Sequence, residues 1–590
     1  MRVLRFHFIY VFFFCASILA QSSSYQIYLN KDNISWNWQG QLSFVTGQNG
    51  KRRFHFQNTF VSNLFREKGL DKKWKDENNL DIGLEIPLNS KLTIESIIKS
   101  HIFSDENSFV KFSKHLLLQE FQYTPYSNVS IAPVLGWASE DIYSFKDQGW
   151  FTQIQGSIDD MDLGGYINNT DLLSAIYHFP GRKNQEHRYY VSFNKHFSQF
   201  ASDSIRVGYE FMDNSYHLSQ SGKIENVEIN ARFLYNQLNY NISKKSFLKV
   251  ETKVQNRDIS QSNPSLLNHR QEINLSNRVI LEWRGEKIHP RFAFFTSQVT
   301  NLAARQTTDR PESRTDWEGL QAAFNFSTLW RASQTDNLNL TFSYTKYEYS
   351  SPDTTQSIDE DDLRFLFDLK WFHHFSQYFS LEFDVNLYWY HQIYIYASRS
   401  ANNNWNRIFQ MGPSFRFKIP EVLEHSNRFK ILANYTVYDF DDLLPKVRSF
   451  IFRKMIFSDS LSLKLSKGLK LVTFYQLEKE DDGTFFKNIF AQQIGRELTS
   501  HFIDVRLVYL RLKGLRFSTG MSWFFRKEWS FYPEKRISRD YRDFSPKLTI
   551  LYSLGPRLLL HIAFAPKVYR DLHICRQYFA TGKINLRYTF

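Results

Sequence analysis

The chain has 590 residues, a formal net charge of +13 and an aromatic content of 17%, with 56 Phe, 32 Tyr and 13 Trp. It contains only two cysteines, which excludes a fold held together by several disulfides. After the first 20 residues no segment approaches 18 uninterrupted apolar residues, and this excludes transmembrane helices.

Residues 1–20 have the order of a secretory signal peptide. Arg2 and Arg5 precede an apolar run, and Ala20 ends that run before a polar, serine-rich segment. The run is shorter than the roughly 20 residues that a stable transmembrane span needs. We therefore expect export with cleavage after about Ala20, which leaves a net charge of +11. Lipidation at Cys15 is the alternative, but the two phenylalanines before it fit a lipoprotein signal poorly.

A short N-terminal segment, 21–33, precedes strand-like segments that run from 34 to 590. Apolar and polar residues alternate along these segments, which places them on opposite faces of each strand. The segments are ten to fourteen residues long by sequence, close to the roughly nine to eleven that cross a bilayer, whereas soluble strands average about five or six. Aromatic residues also collect near strand ends, as expected for the girdles of a membrane barrel.

These features predict an all-β fold, a large closed antiparallel transmembrane β-barrel over residues 34–590. At roughly 23 residues for a strand and its connection, it would have about 24 strands, with a range of 20 to 26. A closed wall is required because an open sheet edge would leave backbone groups unpaired in lipid. A soluble β-sandwich or propeller fits each strand singly, but not their length and uninterrupted order.

The connections between the strands divide into two kinds. Tight turns at 89–90, 466–468 and 513–514 are typical of the periplasmic side of a barrel. Longer polar connections are expected on the extracellular side, at 257–270, 300–315, 350–362, 398–406 and 528–540.

The C-terminus ends in an aromatic strand. Ile584, Leu586 and Tyr588 alternate with polar residues, and the chain stops at Phe590. Together with the export signal, this resembles bacterial outer-membrane β-barrels, whose closing strand typically ends in Phe and is read by the barrel-assembly machinery. The resemblance implies an outer-membrane location and an assembly signal that includes Gly582, Tyr588 and Phe590.

The same resemblance suggests partners. They are outer-membrane lipid and lipopolysaccharide, the barrel-assembly machinery and, as a further candidate, a periplasmic protein. A nucleic-acid partner is not expected, because the excess of basic residues belongs to an exported chain. Siderophore and vitamin receptors carry a large N-terminal plug domain, and the short segment 21–33 argues against one here.

One polar segment stands out as a candidate ligand site. Arg399, Asn403, Trp405 and Arg407 lie within nine residues. Asparagine suits turns, and two arginines beside a tryptophan could grip a sugar or a phosphate. An ordinary polar loop is the alternative reading of this segment.

Several charges are expected to face the barrel lumen, because they alternate with apolar residues on the same strands. These candidates are Arg364, Asp368, Lys370, Glu382, Asp384, Asp504 and Arg506. Their signs are mixed. They would either pair with one another along the wall or form facing rows of opposite sign that make a pore selective.

The sequence carries no signature of catalysis, and we expect neither an enzyme nor a cofactor. A G-x-S-x-G motif is absent. No metal site is expected either, since the acidic run 359–362 lacks the spacing of a calcium loop and His573 with Cys575 would supply only two ligands.

The function that follows is a channel, or a transport or export pore for a solute or polymer. The alternative is a non-conducting barrel that acts as a surface receptor, an adhesin or a structural or assembly element.

Overall fold

The structure is a computed structural model. It describes residues 22–32, 34–47, 52–66, 71–143, 145–218, 223–263, 266–307, 310–314, 316–351, 359–443, 449–510, 512–572 and 574–589. None of these residues forms a helix long and apolar enough to cross a membrane. The predicted signal peptide, 1–20, lies outside the described residues and stays a prediction.

The described chain consists of 29 strands and a single 3-10 turn, Ser400–Asn402. The strands of the first half are β1 Ser22–Lys31, β2 Ser35–Thr46, β3 Arg53–Phe65, β4 Lys73–Pro87, β5 Leu92–Asp105, β6 Val110–Tyr126, β7 Val129–Ile142, β8 Phe145–Asp162, β9 Ile167–Phe179, β10 Arg182–Ser198, β11 Ala201–Leu218, β12 Lys223–Asn241, β13 Ser246–Asn263, β14 Leu266–Trp283 and β15 Ile288–Thr307. Those of the second half are β16 Arg310–Arg314, β17 Trp317–Arg331, β18 Asp336–Ser350, β19 Glu360–His374, β20 Phe379–Tyr394, β21 Asn404–Ile419, β22 Leu423–Tyr438, β23 Phe450–Ser466, β24 Leu469–Phe486, β25 Ala491–Tyr509, β26 Leu515–Ser530, β27 Arg536–Leu554, β28 Leu558–Asp571 and β29 Ile574–Thr589.

The strands close into one antiparallel barrel. Each strand pairs with its neighbours in the chain, and β1 pairs with β29, from Ser24 opposite Thr589 to Lys31 opposite Gly582. The five-residue β16 pairs with β15 alone, while β15 continues the wall by pairing with β17. Among the described residues the closed wall therefore has 28 strands. The predicted all-β, closed antiparallel barrel is confirmed.

The number of strands and the start of the barrel differ from the sequence prediction. The wall has 28 strands rather than about 24, because many hairpins are tight: β6 and β7 are separated by 127–128, and β9 and β10 by 180–181. The wall also includes β1, which lies within the segment 21–33 that the sequence left outside the barrel. Only Tyr25, Ile27 and Leu29 alternate with polar residues in β1, and three positions are too few to predict a strand.

The register gives the wall an apolar face. One row of directly opposed residues crosses five strands, from Phe326 through Phe342, Phe367 and Leu387 to Phe409. Large apolar side chains on this face are exposed in the isolated chain, and we call it the outer face. A band of this kind around a closed wall is what lipid-facing strands present. The opposite face, which we call the lumenal face, is predominantly polar.

The two rims of the barrel differ in their connections. We call the rim where β1 begins and β29 stops the turn end, and the opposite rim the loop end. Of the predicted tight turns, 89–90, 466–468 and 513–514 all lie at the turn end. The five longer connections all lie at the loop end, opposite the tight turns, and the extracellular position of that rim stays a prediction. Much of their length is strand, however: within 257–270, β13 continues to Asn263 and β14 resumes at Leu266.

Candidate functional site

The lumenal face is the surface on which a functional site is to be sought. Its wall is closed, since each of the 28 described wall strands pairs on both sides, and its outer face carries an apolar band suited to contact with lipid. Its inner face alternates with that band and is predominantly polar, although a buried apolar cluster on β5 to β9 also lies on it. These are the properties of barrels that span the outer membrane of bacteria. The chain is an outer-membrane β-barrel.

The structure places the seven predicted lumen charges on the lumenal face, on β19, β20 and β25. Arg364 donates from Nη2 to Asp362 Oδ2 at 2.9 Å, and its guanidinium lies 5.0 Å from the ring centroid of Tyr390. The Tyr390 hydroxyl donates to the other oxygen of Asp362 at 2.9 Å. Asp368 accepts a long hydrogen bond, 3.4 Å, from the Asn386 amide. The charges on β19 are therefore held by neighbours within the wall.

The acidic run 359–362 does not form one acidic loop. Because β19 begins at Glu360, its side chains alternate: Asp362 is 3% exposed on the lumenal face, while Asp361 lies opposite Glu348 on the outer face. Among the described residues no three His, Cys, Asp or Glu side chains come close enough together to hold a metal ion. His573 lies outside the described residues.

Register brings two more of the predicted charges together. Lys370 lies directly opposite Asp384 on the next strand, whereas Glu382 lies opposite the apolar Phe372. On β25, Asp504 is almost fully buried and binds the Arg506 Nε at 2.6 Å as well as the Lys547 ammonium of β27. This second set links side chains from two strands that are not adjacent, since β26 lies between them.

The candidate ligand segment is divided between two environments. The Arg399 guanidinium lies 4.4 Å from the ring centroid of Tyr394. Asn403 is buried, and its side-chain oxygen accepts a hydrogen bond from the Tyr394 amide at 2.7 Å. Its backbone carbonyl accepts another from the Asp439 amide at 2.9 Å. Asn403 thus holds the connection between β20 and β21 in place.

The other two residues of that segment lie on the outer face. Trp405 stacks on His391, with ring centroids 4.0 Å apart, and Arg407 lies 5.3 Å from the Trp405 ring. His391 in turn contacts Asp439, with Nε2 and Oδ2 3.1 Å apart. Arg407 therefore approaches Trp405 but Arg399 does not, and the structure does not bring the four residues into one pocket.

A network of ion pairs on β23 to β25 was missed by the sequence analysis. Lys454 Nζ lies 2.7 Å from Glu478 Oε1. Arg496 Nη2 lies 2.6 Å from Asp482 and 3.0 Å from Glu480. The three carboxylates are alternate residues of β24 and share the lumenal face. That spacing is visible in the sequence, but the cations come from neighbouring strands and only the register reveals them.

Among the described residues, Arg182 is the most enclosed cation of the lumenal face, and it lies at the loop-end limit of β10. Its side chain is 2% exposed and binds the carboxylates of Glu140 and Asp147, the latter at 2.7 Å. Its Nη1 donates to the Ser215 carbonyl at 2.7 Å, and the guanidinium lies 4.4 Å from the Phe179 ring. These partners come from four strands, so Arg182 ties the wall together at this point.

Two connections at the loop end are joined by an ammonium group. Lys487 Nζ lies 2.8 Å from Asp441 Oδ1 and 3.1 Å from Asp442 Oδ2. The hydroxyl of Ser449, which is fully buried, donates to Asp441, and we call Asp441, Asp442, Ser449 and Lys487 the loop clamp.

Charge and hydrogen bonding set the protonation of this clamp. Burial alone would raise the pKa of Asp441, but hydrogen bonds from Lys487 and Ser449 outweigh it and hold that pKa below its usual value. Burial would lower the pKa of Lys487, but its hydrogen bonds to the two aspartates raise it above the usual value. Both groups are therefore held in their charged forms.

The expected assembly signal lies on the closing strand. Gly582 lies opposite Lys31 of β1 and Phe564 of β28, and Tyr588 lies opposite Tyr25 on the outer face. Phe590 is outside the described residues, and recognition of this segment by an assembly machinery stays a prediction.

Comparisons with known proteins returned solved structures but no family. No protein-family model matches the chain, and no curated protein matches it. Similar solved structures include the copper transporter OprC, with 8% identity and a TM-score of 0.42 over 96% of this chain and 80% of that one. They also include FpvA of P. aeruginosa bound to pyoverdine (11%, 0.41, 96% and 71%) and the ferric citrate transporter FecA (10%, 0.37, 96% and 78%). Likenesses this distant carry no conclusion about the ligand of this chain.

Proposed function

We propose that the barrel is a pore that passes a hydrophilic solute or polymer across the outer membrane. The observation that carries the proposal is the width of the wall. With about 4.8 Å between strands, 28 strands give a perimeter of about 134 Å, hence about 43 Å across a round wall, before strand tilt adds to it. No side chain is long enough to close such a lumen. We propose no enzymatic role, in keeping with the absence of a catalytic signature in the sequence.

The arrangement of charge supports a weakly selective pore. Lumenal charges that contact one another are of opposite sign and lie side by side in the same part of the wall, as Lys454 with Glu478 and Arg506 with Asp504 do. Such pairs cancel locally, whereas a strongly selective pore needs an excess of one sign or rows that face each other across a constriction. Of the two arrangements that the sequence left open, we therefore favour charges that pair along the wall over facing rows of opposite sign.

Solute flux tests this proposal. Refolded barrel in liposomes should cause swelling in isotonic neutral solutes, and the rate should fall gradually with solute size. Liposomes with heat-unfolded protein are the control. Swelling no faster than that of protein-free liposomes, with barrel that is folded by gel mobility, would contradict a pore.

The rival proposal is a surface-binding barrel, and one observation favours it. Leu443, Ile489 and Phe490 are 74–76% exposed on two neighbouring connections at the loop end. Exposed apolar side chains grouped in this way commonly mark a binding surface. If this is the function, replacing all three by Ser should abolish attachment of the barrel to lipopolysaccharide vesicles, and the liposomes should show no flux.

A further inference from the structure

Six aromatic side chains form a continuous stripe on the lumenal face of β24 to β29. Each strand contributes one ring, and all six rings are partly exposed. We call this set the aromatic stripe, and its members are Phe474, Phe502, Phe524, Tyr541, Tyr569 and Phe579.

The rings of the stripe lie on successive strands, with one pair directly opposed and the other four pairs offset diagonally by two residues. Phe502 lies directly opposite Phe524, and the centroid of Tyr541 lies 5.7 Å from that of Phe524. Tyr541 stacks on Tyr569 at 5.6 Å and Tyr569 on Phe579 at 5.0 Å, with interplanar angles of 27° and 8°. The stripe crosses five interstrand spacings of about 4.8 Å, or about 24 Å in all. Because strands of a barrel are tilted, a row across them also advances along the pore axis.

Lipid does not account for these rings, because they face the lumen. The outer face of the same strands has its own aromatic residues, among them Trp523 and Phe544, which pack at 5.7 Å. When another apolar surface covers rings that are exposed to a water-filled lumen, the free energy falls, so the covering is favourable. Each ring of the stripe is only partly covered by its neighbours, and the part that remains exposed is available to a ligand.

Charged and hydroxyl groups border the rings on both sides. Lys567 lies 5.6 Å from the ring of Tyr541 and 2.9 Å from Asp543. Arg526 lies 5.3 Å from Phe524, and Lys547 lies 5.6 Å from Phe502. These cations hold the rings in place by contact with their faces, and together with the carboxylate they supply hydrogen-bond donors and acceptors at the edges of the rings.

A groove on the wall lies along this border. It has a volume of about 410 Å³ and is lined by three rings of the stripe together with Ser522, Ser545, Asp543 and Lys567. Flat apolar faces with polar groups set at their edges match a ligand that has the same two properties.

We infer that the aromatic stripe binds a linear oligosaccharide, which the pore of the proposed function would pass. Pyranose rings present apolar C–H faces that stack on aromatic rings, and their hydroxyls lie at the edge, where the ammonium and carboxylate groups of the border stand. A linear chain of sugars repeats this combination of apolar face and polar edge along its length, and the six rings of the stripe repeat the complementary surface. A compact solute would use one ring and leave the rest uncovered. The inference names the substrate class of the proposed pore and so rests on that function.

The test is binding of an uncharged linear glucose hexamer, maltohexaose, to the refolded barrel in detergent, measured by calorimetry. Glucose should bind more than tenfold more weakly than the hexamer, because it covers one ring. Phe524→Ala, Tyr541→Ala and Tyr569→Ala should each weaken hexamer binding about fivefold, which corresponds to about 1 kcal/mol. The matched controls are Phe295→Ala and Tyr347→Ala, lumenal rings of β15 and β18 outside the stripe, and they should change it less than twofold.

Heat-modifiable gel mobility establishes that each variant is folded. A wild-type barrel that does not bind the hexamer at millimolar concentration, or binding that the stripe and control variants weaken equally, would overturn the inference. Binding in detergent does not require conduction. Flux without hexamer binding therefore contradicts the stripe alone, and binding without flux contradicts the pore while it supports the stripe.

Discussion

At the scale of single residues, Arg182 shows how a charge is accommodated inside the wall. Two carboxylates, a backbone carbonyl and an aromatic ring surround its guanidinium, and the planar fork of donors meets partners on several sides at once. Its removal would leave Glu140 and Asp147 buried with fewer cations nearby. A charge that loses its partner in a poorly solvated site costs much more than a surface ion pair is worth.

Arg182→Ala should therefore lower the free energy of unfolding by about 3–5 kcal/mol. Arg182→Lys is the matched control and should lower the free energy of unfolding by less, since it keeps the positive charge and loses only the planar set of guanidinium donors. The temperature at which the fast-migrating folded band disappears from gels measures both. If Arg182→Ala unfolds at the same temperature as the wild type, the cluster does not stabilise the wall.

The loop clamp should respond to pH at both extremes. Because the pKa of Asp441 is lowered from about 3.9 in the unfolded chain, its contribution is present above that value and is lost as pH falls through the folded pKa. The pKa of Lys487 is raised from about 10.4, so its contribution is present below that value and is lost as pH rises through the folded pKa.

Hydrogen exchange at Tyr438, whose amide donates to Ser449, reports on the clamp. We expect its protection factor to be constant from about pH 4 to pH 10 and to fall below and above that window. Lys487→Met keeps the apolar stem and should reduce local stability by about 2 kcal/mol at neutral pH. Equal protection at pH 3 and pH 7 would contradict the assignment.

The sequence reveals which residues of a strand share a face but not what they touch. Alternation placed Arg364, Asp368 and Lys370 on one face, and their lumenal position follows from it. It did not predict the outcome at 399–407, where a connection gives way to β21 at Asn404 and successive side chains then alternate between faces. Residues that are close in sequence can therefore point to different faces of the wall. Residues that do contact each other, such as Asp504 and Lys547, can lie on different strands and far apart in sequence.

At the scale of elements, the closing pair of strands determines whether the sheet is a barrel. β29 was visible in the sequence through its regular alternation, and β1 was not, since only Tyr25, Ile27 and Leu29 alternate in it. The long strands were underestimated for another reason. Hydrophobic alternation reports only the part of a strand that contacts lipid, and the loop-end extensions of β13 and β14 are mostly polar, with apolar residues that do not alternate.

The closing register can be tested by cross-linking. Gln26 lies opposite Arg587, at a Cα separation typical of strand pairs, about 4.5–5.5 Å, which a disulfide can bridge. In a Cys575→Ser background, Gln26→Cys with Arg587→Cys should form a disulfide under mild oxidation.

The control for that experiment pairs Gln26→Cys with Lys583→Cys, which is displaced by four residues, about 13 Å along the strand. It should stay reduced. Cross-linking of the control but not of the test pair would show that the barrel closes in another register.

At the scale of the whole molecule, the closed barrel could be predicted from composition, length and alternation, but its width could not. Each tight hairpin that goes unrecognised removes a strand from the count, and the perimeter is the sum of all of them. The lumenal ion pairs and the aromatic stripe also depend on register. A slip of one residue would exchange the two faces of a strand, so neither could be read from the sequence alone.

Ion selectivity should be weak and easily screened. The Debye length is about 10 Å at 0.1 M salt, much less than the estimated width of about 43 Å. Asp504→Asn leaves Arg506 and Lys547 without their carboxylate and should shift the reversal potential toward anions by less than twofold in permeability ratio, at low salt only.

The control for selectivity is Lys346→Gln, because Lys346 pairs with Glu348 on the outer face and does not face the lumen. It should leave the permeability ratio unchanged. An equal shift in both variants would mean that the faces are assigned incorrectly.

The most direct test of the central claim is single-channel conductance of the refolded barrel in a planar bilayer. An open lumen should give large, steady openings whose conductance rises in proportion to bulk salt. A barrel that is folded by gel mobility and inserts into the bilayer, yet stays silent, would contradict the pore and favour surface binding.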